Sequence, residues 1–298
     1  MAYHLPVLLK ESVDALLEVK GEVWVDVTFG GGGHTREILR RMGQGRLLAF
    51  DQDADALFNL PDDERLIFVN ENFRFLKRFL RFYDAIPADG ILADLGVSSW
   101  QIDEPGKGFS TRFDAPADMR MDRRSTLTAA MVIAGYAEEE LARIFREYGE
   151  LANSRQIAAR IVKHRQQEPI ETTGKLREVL LPLSPRGAEN KFLAQVFQAL
   201  RIEVNQELEA LKDLLRQSAE VLRPGGRLVV ISYHSLEDRL VKNFMKTGTF
   251  DGEPVKDFYG NLLAPFRPVN KKPMEATDEE IARNPRARSA KLRIAEKL

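Results

Sequence analysis

Four short apolar runs shape the first third of the chain, over residues 23–27, 46–50, 66–69 and 90–95. Each is rich in Val, Ile, Leu or Phe, as strands buried on both faces are. Helix-like stretches over 35–42, 54–60 and 73–82 separate them. This alternation predicts an α/β fold, a parallel sheet wound by helices on both faces. Right-handed crossovers then bring the loops that follow the strands to one edge of the sheet.

The pattern breaks near Pro105. Residues 106–121 are rich in Gly, Asp, Arg and Pro and read as an ordered loop. From Leu127 to about Val204 the periodicity is helical, with clear stretches over 139–148 and 154–165. A long helical pattern over 191–222 runs up to Pro224-Gly225-Gly226, a strong breaker. Strand character returns over 227–232 and a helix over 236–246, while 248–284 is Pro-, Gly- and charge-rich and reads as loop. The economical organisation is an all-helical domain, residues 105–205, inserted into a discontinuous α/β domain made of 1–104 and 206–298.

Composition narrows the chemistry. The chain has no cysteine, which excludes disulfides, thiol nucleophiles and Cys-type zinc sites. Four histidines (His4, His34, His164, His234) leave little material for a metal centre, and no metal is expected. There is no signal-peptide pattern and no apolar run long enough to span a bilayer, so a cytoplasmic protein without membrane association is expected. The formal net charge of −1 means that any nucleic-acid site must be a local basic face. The 105–205 block carries 16 Lys/Arg against 13 Asp/Glu and is mildly basic.

Between the first strand and its helix lies Thr28-Phe29-Gly30-Gly31-Gly32-Gly33-His34. Four consecutive glycines let a ligand approach the backbone closely, and the helix start offers free N–H groups and a positive dipole end. That suits the carboxylate of S-adenosylmethionine (SAM) or the pyrophosphate of NAD. The dinucleotide fingerprint G-x-G-x-x-G does not fit, because the third position falls on Thr35 or Arg36. Asp51 ends the second strand, where a carboxylate can accept hydrogen bonds from both ribose hydroxyls. Phe73, after the third strand, is either an adenine platform or a core residue starting a helix. Asp94, Ser98 and Ser99 follow the fourth strand on the ligand-binding edge, although an Asp there can also simply cap the turn.

Seven motifs in order then make the chain recognisable. They are His4-Leu5-Pro6-Val7-Leu8-Leu9; Thr28-Phe29-Gly30 with Gly32-Gly33-His34; Asp94-Leu95-Gly96-Val97-Ser98-Ser99; and Arg112-Phe113-Asp114 with Asp118-Met119-Arg120-Met121-Asp122. Then come Phe197–Asn205, Ile231–Arg239 and Asn284–Arg293. Across nearly its whole length the chain resembles the ribosomal RNA small-subunit methyltransferase H family. The resemblance implies a Rossmann-like SAM-dependent methyltransferase sheet with an inserted helical domain, acting on a cytosine N4 amine of small-subunit (16S) rRNA. It implies that Gly32, Gly33 and His34 line SAM, that Asp51 binds its ribose, and that Phe73, Asp94 and Gln101 complete the pocket. Trp100 stands where the family often has Pro, and Leu193-Ala194-Gln195-Val196 replaces a more familiar Pro-Ala-Thr-Arg-type run.

SAM carries an activated methyl group, so transfer needs alignment and exclusion of water rather than a metal. An acceptor facing the amine would help it shed a proton. Asp94, Ser98 and the Ser232-Tyr233-His234 loop end, His234 included, are the candidates, and the sequence does not choose among them. Basic residues for the RNA are Arg112, Arg120, Arg123 and Arg124, which alternate with Asp114, Asp118 and Asp122. A second set at 283–293 is also basic. The resemblance implies the RNA of the small ribosomal subunit as the partner, and a homodimer is compatible with the sequence. Competing readings are a DNA or other RNA amine methylase, a nicotinamide oxidoreductase, and a ribosome assembly factor with a relic cofactor fold.

Overall fold

The structure is a computed structural model and describes residues 6–298, apart from the side chain of Ser99. His4 lies outside the described residues. The chain forms two compact units, one of residues 1–96 and 208–298, the other of residues 97–207. The boundaries thus fall at Gly96/Val97 and Glu207/Leu208, some residues from the 104/105 and 205/206 positions that composition suggests.

In the first unit the strands are β1 (Val23–Asp26), β2 (Arg46–Phe50), β3 (Leu66–Val69), β4 (Ala88–Asp94), β5 (Leu222–Ser232), β6 (Phe266–Pro268) and β7 (Lys291–Lys297). They form one sheet in the order β3-β2-β1-β4-β5-β7-β6. The first five run parallel, and β7 is antiparallel to both its neighbours. Alternate strand residues face opposite sides. Val25, Leu48, Ile91, Ala93, Leu228 and Val230 pack on α3 (Leu76–Phe82), α10 (Glu207–Val221) and α11 (Ser235–Thr247). Trp24, Leu47, Leu92, Val229, Ile231 and Leu292 pack on α1 (Leu9–Leu17) and α2 (Gly33–Arg41). Both faces are therefore dry, which accounts for the near-continuous apolar runs of β1, β2 and β4. A short helix, α12 (Asp278–Arg283), precedes β7.

Three readings of the sequence need correction here. The 191–222 helical pattern is two helices: α9 (Glu189–Asn205) ends at Gln206, whose φ of 50° turns the chain, and α10 follows. Pro224-Gly225-Gly226 does not separate helix from strand but lies within β5. Leu222 pairs with Ala88 and Arg227 with Gly90, so residues 223–226 bulge out opposite Asp89 alone. Asp89 stabilises the bulge by accepting from Arg223 Nε and from the backbone N–H groups of Glu22 and Val23 at 2.8 and 2.9 Å. Finally, the 248–284 stretch contains β6 and α12, and of the basic 283–293 set only Lys291 and Arg293 lie in a strand, β7.

The second unit contains α4 (Ser99–Asp103), α5 (Ala129–Gly135), α6 (Glu138–Glu147), α7 (Ser154–Arg165), α8 (Thr173–Leu180) and α9. Its own core joins Met119, Val132, Leu141, Ile144, Phe145, Ile157, Leu176, Val196 and Leu200, all fully buried. The stretch between α4 and α5 holds a single 3-10 turn, Pro105–Lys107, and is otherwise irregular but ordered by internal hydrogen bonds.

Candidate active site

The sheet order reverses direction between β1 and β4, and the crevice off the carboxyl ends of such strands is where α/β sheets bind ligands. Both carboxyl ends there carry aspartates, Asp26 and Asp94. Asp26 is fully buried. It accepts from the Thr35 hydroxyl at 2.7 Å and the Thr28 N–H at 3.1 Å, and so ties the glycine loop to α2. The Thr28 hydroxyl in turn accepts from the Asp94 N–H at 2.6 Å. The strand ends are thus cross-linked beneath the loop.

The loop turns through left-handed backbone at Gly30 (φ 52°) and Gly32 (φ 74°). A Cβ on Gly32 would sit 2.8 Å from the Phe29 ring, and one on Gly33 would run into Pro6. Only glycine keeps this cradle open. Asp51 braces it from the end of β2: Oδ2 accepts from Gly30 N–H at 2.7 Å and Oδ1 from Asp53 N–H at 2.9 Å. A carboxylate has about four acceptor positions, so each oxygen retains capacity for a hydroxyl donor. Burial pushes the Asp51 carboxyl up to about 7 against the pull of those N–H bonds. Phe73 begins the 3-10 turn after β3 and is part-buried against the sheet core.

His34 is buried, with Nε2 3.2 Å from the Val7 carbonyl and Nδ1 3.7 Å from Asp94 Oδ2. Burial lowers its pKa and favours the neutral ring, although the nearby Asp26 pulls the other way. Asp94 keeps 22% of its side chain exposed and accepts a 2.7 Å hydrogen bond from the Tyr233 hydroxyl. Burial drives its carboxyl up to about 7, Tyr233 pulls it down and Glu237 adds to the rise.

The other candidate acceptors are engaged locally. His234 caps α11: its Nδ1 accepts from the Glu237 N–H at 3.4 Å, and its Nε2 lies 3.2 Å from Glu237 Oε1. In the second unit, Ser98 and Gln101 form a capping box at the start of α4. Gln101 N–H donates to the Ser98 hydroxyl at 3.2 Å and Gln101 Oε1 accepts from Ser98 N–H at 3.1 Å. Trp100, the position that departs from the family, is exposed. The arginines of the following loop are mostly paired: Arg112 with Asp103 at 2.7 Å, Arg120 with Asp118 at 2.7 Å and Arg124 with Asp122 at 2.9 Å. The sequence singled out Tyr233 only as part of a loop end, and Asp26 not at all. An aromatic directly after a strand that ends the ligand edge was the available signal for the first.

A family model described as the MraW methylase family matches residues 1–298. The chain belongs to the MraW methylase family. It is 58% identical to a ribosomal RNA small subunit methyltransferase H of Flavobacterium johnsoniae, covering 100% of this chain and 99% of that one. It is 60% identical to the protein of the same name from Bacteroides fragilis, covering 99% and 97%, and 56% identical to that of Cytophaga hutchinsonii, covering 99% and 99%. As a methylase of this family it uses SAM as methyl donor. The site fits that group: a glycine loop in which a Cβ at Gly32 or Gly33 would collide with its neighbours lies beside a strand-end carboxylate with spare acceptor capacity.

Proposed function

We propose that this MraW-family methylase methylates the exocyclic N4 amine of a cytidine in the RNA of the small ribosomal subunit, in the cytoplasm where subunits assemble. The observation that carries the reading is Asp94: a carboxylate on the ligand edge, oriented by Tyr233 and held near neutrality. The names of the relatives support rRNA as the substrate. The absence of cysteine supports an amine target, because it removes the thiol nucleophile by which a pyrimidine ring carbon is activated.

When bound, SAM supplies a methyl group on a cationic sulfonium. In this reading Gly32, Gly33 and His34 line SAM, and Asp51 accepts from its ribose. Phe73 is a further member of the cofactor pocket. Bound SAM would supply that methyl group to the amine, and the chain's own residues would orient the amine and take up the proton it sheds. The proton released from nitrogen passes to Asp94. A carboxyl titrating about 7 suits that role, since it is both ionised enough to accept and basic enough to hold the proton. Ser98 and His234 are secondary candidates, each already committed to a helix cap. The helical unit, with Arg112, Arg120, Arg123 and Arg124, holds the RNA. Its chief demand is to present an unpaired or extruded base.

The decisive experiment uses labelled SAM with purified small subunits, free small-subunit RNA and duplex DNA, followed by nucleoside analysis. N4-methylcytidine from the RNA, with assembled subunits preferred to naked RNA, is the expected product. Label on cytosine C5, on adenine or on DNA would overturn the reading.

A further inference from the structure

The turn that follows β2 is held against the glycine loop by polar contacts far more than by packing. Of the 3-10 turn Ala54–Asn59 only Ala56 is buried, against Phe29 and Ala49. Leu57 and Phe58 are exposed. Burial of apolar surface therefore does little to fix where the turn sits.

Hydrogen bonds fix it instead. Asp53, itself buried, caps the turn by accepting from the Asp55 N–H at 3.2 Å. At the other end, Asn59 Nδ2 donates to the Gly30 carbonyl at 3.2 Å. The Gly30 N–H already donates to Asp51 Oδ2 at 2.7 Å. Gly30 is thus gripped on both of its polar groups by one segment, residues 51–59.

Arg36 closes the arrangement from α2. Its Nη1 donates to the Gly31 carbonyl at 2.6 Å and its Nη2 to the Asn59 carbonyl. A Cβ on Gly32 would lie 2.9 Å from the same Nη1. One guanidinium therefore reaches turn and loop together, and its planar fork suits the bridging of two carbonyls. Gly31 is exposed, and a Cβ there would meet nothing within 4 Å, so packing does little to restrain it.

Glycine loses more conformational freedom on ordering than any other residue, and four stand here in a row. A loop that orders only when a ligand arrives loses affinity by that cost, and a loop ordered beforehand does not. The peptide unit is planar and trans, so fixing the Gly30 and Gly31 carbonyls also fixes the directions of the Gly31 and Gly32 N–H groups.

We propose that Asn59 and Arg36 are positioning residues for SAM. They pre-order the glycine loop by clasping its carbonyls, and they tie it to the segment that carries Asp51. Neither needs to touch the cofactor. The proposal rests on the reading of the glycine loop and Asp51 as the SAM pocket, with the loop at the carboxylate end of SAM.

The test is calorimetry on the full chain with SAM and with 5′-methylthioadenosine, which keeps ribose and adenine but lacks the amino-acid end. Asn59→Ala and Arg36→Met are compared with the wild type. Asn59→Ala changes no charge, so weaker binding there cannot come from a lost long-range attraction. Each variant is expected to bind SAM about three- to tenfold more weakly, and 5′-methylthioadenosine no more than about twofold more weakly. Hydrogen exchange at the loop amides should be faster in the ligand-free variants and return to the wild-type rate at saturating SAM. Unchanged SAM affinity in the folded variants would overturn the proposal. Equal weakening of both ligands, with faster exchange throughout the sheet, would also overturn it, because the contacts would then be general supports of the fold. Asp51→Ala, run in parallel, separates the two levels. If it weakens SAM while Asn59→Ala and Arg36→Met do not, the proposal alone fails. If it too leaves SAM binding unchanged, the pocket reading fails and the proposal falls with it.

Discussion

The Tyr233 hydroxyl donates a 2.7 Å hydrogen bond to Oδ1 of Asp94, joining the carboxyl ends of two neighbouring parallel strands. The bond favours the ionised form of Asp94 and opposes the burial that pushes this carboxyl up to about 7. Tyr233 thus positions Asp94 and tunes it. Removing the donor in Tyr233→Phe should raise the Asp94 pKa further. A hydrogen bond to a charged group is worth about 1.5–3 kcal/mol, which corresponds to about 1–2 pH units. Single-turnover methyl transfer should therefore fall at pH 7 and recover at higher pH, with the rising limb displaced to the alkaline side. A uniform loss of rate with an unmoved profile would reduce Tyr233 to a packing residue.

Asp51 makes a prediction about the cofactor. Its carboxyl is raised to about 7 in the free protein. In the proposed pocket the carboxylate would accept two ribose hydroxyl donors, whereas the protonated form offers less acceptor capacity. The sign follows: SAM affinity should be full above pH 7 and weaken as pH falls through 7 toward 5, by up to about tenfold per pH unit. Calorimetry of SAM binding over pH 5–8 measures this. Asp51→Ala should bind about tenfold or more weakly, by the loss of about 1–3 kcal/mol of hydrogen bonding, and flatten the Asp51 part of the pH dependence. Unchanged affinity in the folded variant would remove Asp51 from the pocket.

How much was legible in the sequence depends on the range of the interaction. Strands β1 to β4 and the glycine loop were readable because burial on both faces writes itself into consecutive residues. Asp51 and Asp94 were readable as acids at strand ends, a property of local order. β7 was not: its sequence KLRIAEK mixes charge with apolar residues. It becomes a strand by pairing between β5 and β6, with Arg293 compensated by Asp238 on another element. Tyr233 and Asp94 lie 139 residues apart, so their contact left no local trace. The break at Gln206 was equally hidden, since a non-glycine residue with positive φ carries no compositional mark.

The glycine cradle predicts a sharp intolerance. A Cβ at Gly33 would overlap the Pro6 ring, which has no flexible end to swing away. Gly33→Ala must displace the 6–8 segment or the start of α2, at a cost of about 1–3 kcal/mol for overpacking. A lowered melting temperature and weakened SAM binding should appear together. Gly31→Ala is the control, because its Cβ would meet nothing within 4 Å. Equal tolerance at both positions would show that the loop relaxes freely.

The basic C-terminal segment separates into structural and surface charges. Arg293 lies in β7 and donates to Asp238 of α11 through Nε at 2.6 Å and Nη2 at 3.1 Å. The two side chains are only 10% and 14% exposed. Removing one partner of such a pair strands a buried charge and costs about 3–5 kcal/mol. Arg288, in contrast, is exposed in the turn before β7. Arg293→Ala should therefore lower the melting temperature by about 6–20 °C, taking about 2–4 °C per kcal/mol for a large domain. Arg288→Ala should leave it nearly unchanged. The double change Arg293→Met with Asp238→Leu should recover much of the loss, because apolar replacement of both partners leaves no orphaned charge. If Arg293→Ala instead keeps its melting temperature and loses only RNA affinity, the residue is a nucleic-acid contact and the β7–α11 pair is dispensable to the fold.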